Sequence, residues 1–123
     1  MNTVLVVDDR PDSRYATTRV LASAGFDVRE TATGRDALRL ARSSPDVIVL
    51  DVALTDIDGF EVCRRLKDDA TTRAIPVIHK TGVYRDPEHR RLGLAAGADV
   101  YLVDPVDPQV LVDTVRRLLP GGR

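Results

Sequence analysis

The chain has 123 residues, 43% hydrophobic and 30% charged, which suits one globular domain with its own core and excludes a disordered segment. Its 18 basic residues nearly cancel its 19 acidic ones, so composition argues for neither nucleic-acid binding nor attachment to a membrane surface. The single cysteine, Cys63, cannot form an internal disulfide, and no Cys/His cluster has metal-ligand spacing. No signal peptide or membrane-spanning stretch is read, and the expected location is cytoplasmic.

Along the chain, short β-branched runs alternate with helical patterns five times. The first predicted strand runs from Thr3 to Asp8 and is followed directly by Asp9. Pro11 then suits the first turn of a helix in which Ala16, Val20, Leu21 and Ala24 recur at helical spacing before Gly25. Phe26 to Thr31 reads as the second strand. Thr33 caps a second helix that carries Ala37, Leu38 and Ala41 and stops at Pro45. The third strand, Val47 to Asp51, precedes a helix that starts near Asp58 or Gly59 and carries Phe60, Val62, Cys63 and Leu66. Cys63 reads there as packing, not as a nucleophile.

Pro76 to Thr81 is the fourth predicted strand. The helix after Pro87 has the weakest pattern, because Gly93 and Gly97 interrupt or end it, and His89, Arg90 and Arg91 read as its solvated face. Asp99 to Val103 forms the fifth strand. The last helix, from about Asp107, places Val110, Leu111, Val115, Leu118 and Leu119 on one side before Pro120-Gly121-Gly122.

The unbroken apolar runs of the first and third strands imply burial on both faces, as parallel strands require. Five βα units with short connections predict a single α/β domain over residues 1–123, with a doubly wound parallel sheet between helices. Sites in such sheets lie outside the carboxyl ends of the strands, where Asp8, Asp9, Asp51, Thr81 and Asp104 all fall. Taken singly, Asp8-Asp9 could cap a helix, Thr81 could satisfy the backbone, and Tyr101 could be a half-buried strand aromatic. Taken together, three carboxylates at buried strand ends cannot stay fully ionised without a cation, which makes a divalent metal site the first expectation.

Several segments, in this order and spacing, resemble the receiver domain of two-component response regulators over essentially the whole chain. They are Leu5-Val6-Val7-Asp8-Asp9, Ile48-Val49-Leu50-Asp51, Asp56-Ile57-Asp58-Gly59-Phe60-Glu61-Val62, Ile75-Pro76-Val77-Ile78 leading to Thr81-Gly82, and Gly97-Ala98-Asp99-Val100-Tyr101-Leu102. The resemblance implies the flavodoxin-like receiver fold, with strand order 2-1-3-4-5 and five helices. It implies that Asp51 accepts a phosphoryl group from a histidine kinase or phosphotransfer protein in a phosphorelay. Mg²⁺ or another divalent cation would be held by Asp9, Asp51 and the Ala53 backbone carbonyl, with Asp8 acting through water. Thr81 would donate to a phosphoryl oxygen, and Gly82 would leave the approach open. Tyr101 would report the position of Thr81 to the surface of helix four, strand five and helix five, where a downstream protein or a second copy would dock. Such a domain is a signalling phosphoacceptor and not an enzyme, with no direct nucleic-acid or membrane partner.

Two positions depart from the family pattern. Asp104 stands where a lysine usually precedes Pro105, so an attraction for the phosphoryl group becomes a repulsion. Two unit charges about 4 Å apart interact by roughly 4 kcal/mol at an effective dielectric near 20. Asp104 could add a fourth carboxylate to a metal site, pair with Arg10, His79 or Lys80, or turn outward. Alternation along the fourth strand sets Lys80 opposite Thr81 and favours His79 as the partner. The family geometry makes Asp104-Pro105 a cis bond. Thr55 replaces a usual proline, which is expected to loosen its loop.

Asp12-Ser13-Arg14-Tyr15 and residues 104–108 resemble receivers attached to hybrid histidine kinases; a free-standing regulator and a piece of a longer protein both fit. The alternative to a working phosphoacceptor is a pseudo-receiver that binds a partner irrespective of phosphorylation. A flavodoxin fits less well, because Asp8-Asp9-Arg10-Pro11 would repel a phosphate. A haloacid-dehalogenase-type phosphatase would need an acid at position 53, which is alanine.

Overall fold

The structure is a computed structural model and describes residues 2–120. Strands β1 (Thr3–Val7), β2 (Asp27–Thr31), β3 (Val47–Leu50), β4 (Val77–Thr81) and β5 (Val100–Val103) form one parallel sheet in the order β2-β1-β3-β4-β5. Helices α1 (Pro11–Ser23), α2 (Gly34–Ala41), α3 (Gly59–Asp68), α4 (Pro87–Ala95) and α5 (Pro108–Leu118) alternate with them. All five predicted strands and five predicted helices are present, and the strand order is the one implied by the resemblance.

Period-two alternation divides the strands between two cores. Leu5, Val7, Ile48, Leu50 and Val77 point to one face and pack with Ala37 and Ala41 of α2 and Val62, Cys63 and Leu66 of α3. Val4, Val6, Val47, Val49 and Ile78 point to the other face and pack with Leu21 of α1 and Leu111, Val112 and Val115 of α5. The inner strands β1 and β3 are therefore apolar at nearly every position, while β4 turns polar over His79, Lys80 and Thr81 as it nears its carboxyl end. Cys63 is buried, and burial pushes its thiol up to about 11, as expected for packing.

Helix boundaries follow local chemistry. Pro11, Pro87 and Pro108 each occupy a first turn, where a missing N–H costs nothing. Thr33, Asp58, Asp86 and Asp107 accept backbone N–H bonds from the first turns of α2 to α5. Gly97 ends the α4 segment at φ +111°, a conformation that disfavours any side chain. Gly93, in contrast, does not break α4. It is buried because the Tyr101 ring passes 2.7 Å from where its Cβ would lie, so it is a packing glycine. Pro120 follows the last helix, while the expected Gly121-Gly122 stop lies outside the described residues. No helix among them is long and apolar enough to cross a membrane.

Candidate functional site

The ends of β1 and β3 are neighbours because the two strands pair directly, Val7 opposite Leu50. The ladder runs one residue past each strand: Asp8 N donates to Thr31 O at 3.1 Å, and Asp51 N donates to Val7 O at 2.9 Å. These bonds fix the main chain beneath both carboxylates. Asp8, Asp9 and Asp51 each offer a carboxylate oxygen, all within 4.8 Å of one another. Asp8 and Asp51 are buried, at 7% and 5% exposure, and Asp9 is half-buried. Burial, with like charge from Asp8 and Asp9, raises Asp51 from 3.8 to about 6, against the Ala53 N–H and Arg10. Such a trio of oxygen ligands suits a hard divalent cation.

The loop after β3 is tied down without a proline. The Asp56 carboxylate accepts from Gly34 N at 2.9 Å and Arg35 N at 3.0 Å, capping α2 from 22 residues away. Gly59 N donates to Val52 O at 2.7 Å, and a Cβ on Gly59 would lie 2.3 Å from Asp51 O. The loosening expected from Thr55 is thus offset by the tether at Asp56. Only the fold brings Asp56 to α2, so no local sequence signal marks it.

At the end of β4, Thr81 is fully buried and its hydroxyl oxygen accepts from Val83 N at 3.1 Å and Tyr84 N at 3.2 Å. The Tyr101 hydroxyl donates to Tyr84 O at 2.8 Å, so Thr81 and Tyr101 hold the same loop from two sides. Tyr101 is fully buried rather than half-buried. Around it lies an aromatic cluster that the sequence reading missed. His79 meets Phe60 and Tyr101 edge-on, at 5.5 and 5.9 Å between ring centroids. Tyr84 stacks on His89 at 4.3 Å. His89 also bonds Asp86 and is half-buried, whereas Arg90, which donates to Tyr101 O, and Arg91 are exposed on the expected solvated face.

The expected His79–Asp104 pairing is not what the structure has. His79 is fully buried, its Nδ1 lies 3.2 Å from Leu50 O, and burial lowers it to about 4, so the ring is neutral. Asp104 instead pairs with Lys80, Nζ to Oδ1 at 2.7 Å. The reason is register. Lys80 lies opposite Leu102, and Asp104, two residues on, falls on the same face as both; alternation relative to Thr81 was the wrong reference. Asp104 is held by Lys80 and is not grouped with the three carboxylates as a fourth ligand. The Asp104-Pro105 bond is cis, as the family geometry implies.

An open parallel sheet with an acidic trio at its central strand ends, flanked by a buried strand-end hydroxyl, defines the class of molecule: an α/β domain with a candidate cation site at the carboxyl ends of its strands. The response regulator receiver domain model matches residues 4–116, and the chain belongs to that family. Protein PilH of Pseudomonas aeruginosa is 38% identical, covering 98% of this chain and 100% of that protein. Transcriptional regulatory protein AfsQ1 of Streptomyces coelicolor is 41% identical over 99% of this chain but only 53% of its own length. The receiver domain of a Pseudomonas aeruginosa sensor histidine kinase, solved with magnesium coordinated in its active-site cleft, superimposes with a TM-score of 0.87 at 28% identity, covering 95% of this chain and 96% of that one. The protein is thus a receiver domain of two-component signalling, a signalling module by family.

Proposed function

We propose that this receiver accepts a phosphoryl group on Asp51 from a histidine kinase or phosphotransfer protein in a phosphorelay, with Mg²⁺ bound at Asp8, Asp9, Asp51 and the Ala53 backbone carbonyl. The observation that carries the reading is the convergence of Asp8, Asp9 and Asp51 within 4.8 Å of one another, with Asp51 raised to about 6. A carboxylate so placed gains most from a cation, and a cation is what lets it meet an anionic phosphoryl donor. The cation supplies charge neutralisation between the attacking carboxylate and the phosphoryl oxygens. An Asp51 oxygen forms the bond to phosphorus while the donor's bond to phosphorus breaks and its electron pair leaves with the donor.

Thr81 then donates a hydrogen bond from its hydroxyl to a phosphoryl oxygen, and Gly82, without a side chain, leaves the approach open. Because Thr81 and Tyr101 hold one loop, a shift of Thr81 is transmitted to α4 and β5. Exposed Leu92, Leu94 and Val110 supply apolar contacts on the α4–β5–α5 face for a downstream protein or a second copy. The location that fits such a partner set is the cytoplasm. Pairing of Asp104 with Lys80 favours a working site over a phosphorylation-independent binding module, since the extra carboxylate is neutralised off to one side.

Intact-mass analysis after incubation with acetyl phosphate and Mg²⁺ tests the proposal. A phosphoryl adduct is expected in the parent, absent in Asp51→Ala and absent without Mg²⁺. No adduct under conditions that label an ordinary receiver would refute it and leave the binding module.

A further inference from the structure

Charge balance at the proposed phosphoryl site leaves a gap. When Asp51 carries a phosphoryl group, Asp8, Asp9 and the phosphoryl oxygens together outweigh one divalent cation, and a further positive group is needed to hold the product. Most of the basic side chains around this end of the sheet are already engaged. Lys80 is bound to the Asp104 carboxylate at 2.7 Å. Arg85 donates to Asp104 O at 2.6 Å. Arg14 donates to Asp8 O at 2.9 Å and pairs with Glu30 at 3.3 Å.

Arg10 is the exception. It follows Asp9 directly and is the N-cap residue of α1, yet its side chain makes no capping bond. Among the described residues its guanidinium takes part in no ion pair or hydrogen bond, although its backbone N–H donates to Asp8 Oδ1 at 2.9 Å. The guanidinium lies over Gly82, with Nη2 3.7 Å from where a Cβ on Gly82 would stand. It shares an open groove with Lys80, Gly82, Arg85 and Asp104. The guanidinium is thus beside the residue that follows Thr81, on the approach to the carboxylates. Of the charged neighbours acting on Asp51, Arg10 favours the carboxylate, against burial, Asp8 and Asp9.

We propose that Arg10 is the phosphoryl-contacting cation of this site, filling the role left open where Asp104 stands in place of a lysine. The inference rests on the phosphoacceptor reading above. Its planar fork of donors suits two phosphoryl oxygens at once, while Lys80 is spent on holding Asp104 aside. Arg10 transfers no proton in this role. It binds the phosphoryl oxygens as the bond from Asp51 to phosphorus forms and the donor's bond breaks.

The test compares the parent with Arg10→Ala and Arg10→Lys at saturating Mg²⁺, by adduct formation from acetyl phosphate and by beryllofluoride binding followed with fluorine NMR. Arg10→Ala is expected to slow labelling and weaken beryllofluoride binding about tenfold, Arg10→Lys to recover most of the loss, and Mg²⁺ affinity not to fall. Equal labelling and beryllofluoride binding in parent and Arg10→Ala would overturn the proposal. So would a parallel fall in Mg²⁺ affinity, which would assign Arg10 to holding the carboxylates. A parent that takes no phosphoryl group refutes the phosphoacceptor reading, and the beryllofluoride arm then decides alone: binding that depends on Arg10 supports the role, while binding independent of Arg10, or no binding, overturns it.

Discussion

Replacing Asp51 with asparagine is expected to make the metal-free protein more stable at neutral pH, the opposite of what removing a hydrogen-bonded polar group usually does. Burial foremost, then Asp8 and Asp9, disfavour the charged carboxylate, and the folded-state value of about 6 lies above the ordinary 3.8. That difference corresponds to about 3 kcal/mol of stability missing above pH 6. Because the folded state binds the proton more tightly, this contribution is fully present below about pH 4 and is lost as pH rises from there through about 6. Asparagine keeps the shape and can still accept from Ala53 N, which is 3.2 Å from Asp51 Oδ1.

Chemical denaturation in chelator at pH 7 should therefore show Asp51→Asn more stable than the parent by about 2–3 kcal/mol, with a flatter profile between pH 4 and 6. Adding Mg²⁺ should stabilise the parent by mass action and the variant much less, closing the gap. A variant no more stable than the parent in chelator at pH 7 would refute the claim that the site stores unfavourable charge.

Two further outcomes follow from the packing around it. A double-mutant cycle on Lys80→Met and Asp104→Asn should give a coupling energy of about 1–2 kcal/mol, since the pair is close and its side chains are only 13% and 22% exposed; coupling under about 0.3 kcal/mol would mean solvent screens it. Gly93→Ala should lower stability by about 1–2 kcal/mol although alanine is the better helix former, because the new Cβ would press within 2.7 Å of the Tyr101 ring; a stabilised variant in urea denaturation would show that the ring yields freely.

Much of the site was legible because it hangs on local pattern. An apolar run that ends in Asp8-Asp9, and another that ends in Asp51, place carboxylates at strand ends wherever the sheet is parallel. Gly93 misled because glycine within a helical pattern signals a break locally, whereas its cause here is a ring on β5. His79 misled for a related reason. A histidine on the face of Thr81 looked like a partner for Asp104, but that face is covered by Phe60 and Tyr101, which leave the ring dry and neutral.

The sequence by itself determined the alternation of strands and helices, the two-sided burial of β1 and β3, and the acidic strand ends. Each of these is written in the spacing of neighbouring residues, and the 3.6 and 2 periodicities translate it directly into faces. Only the tertiary structure decided which charges meet. That Lys80 takes Asp104, Asp56 caps α2 and the Arg10 guanidinium lies over Gly82 depends on register between strands and on how the loops meet at the strand ends. Electrostatic pairing acts between groups a few ångströms apart in space, and that distance is set by how the strands are laid side by side, which no local spacing encodes.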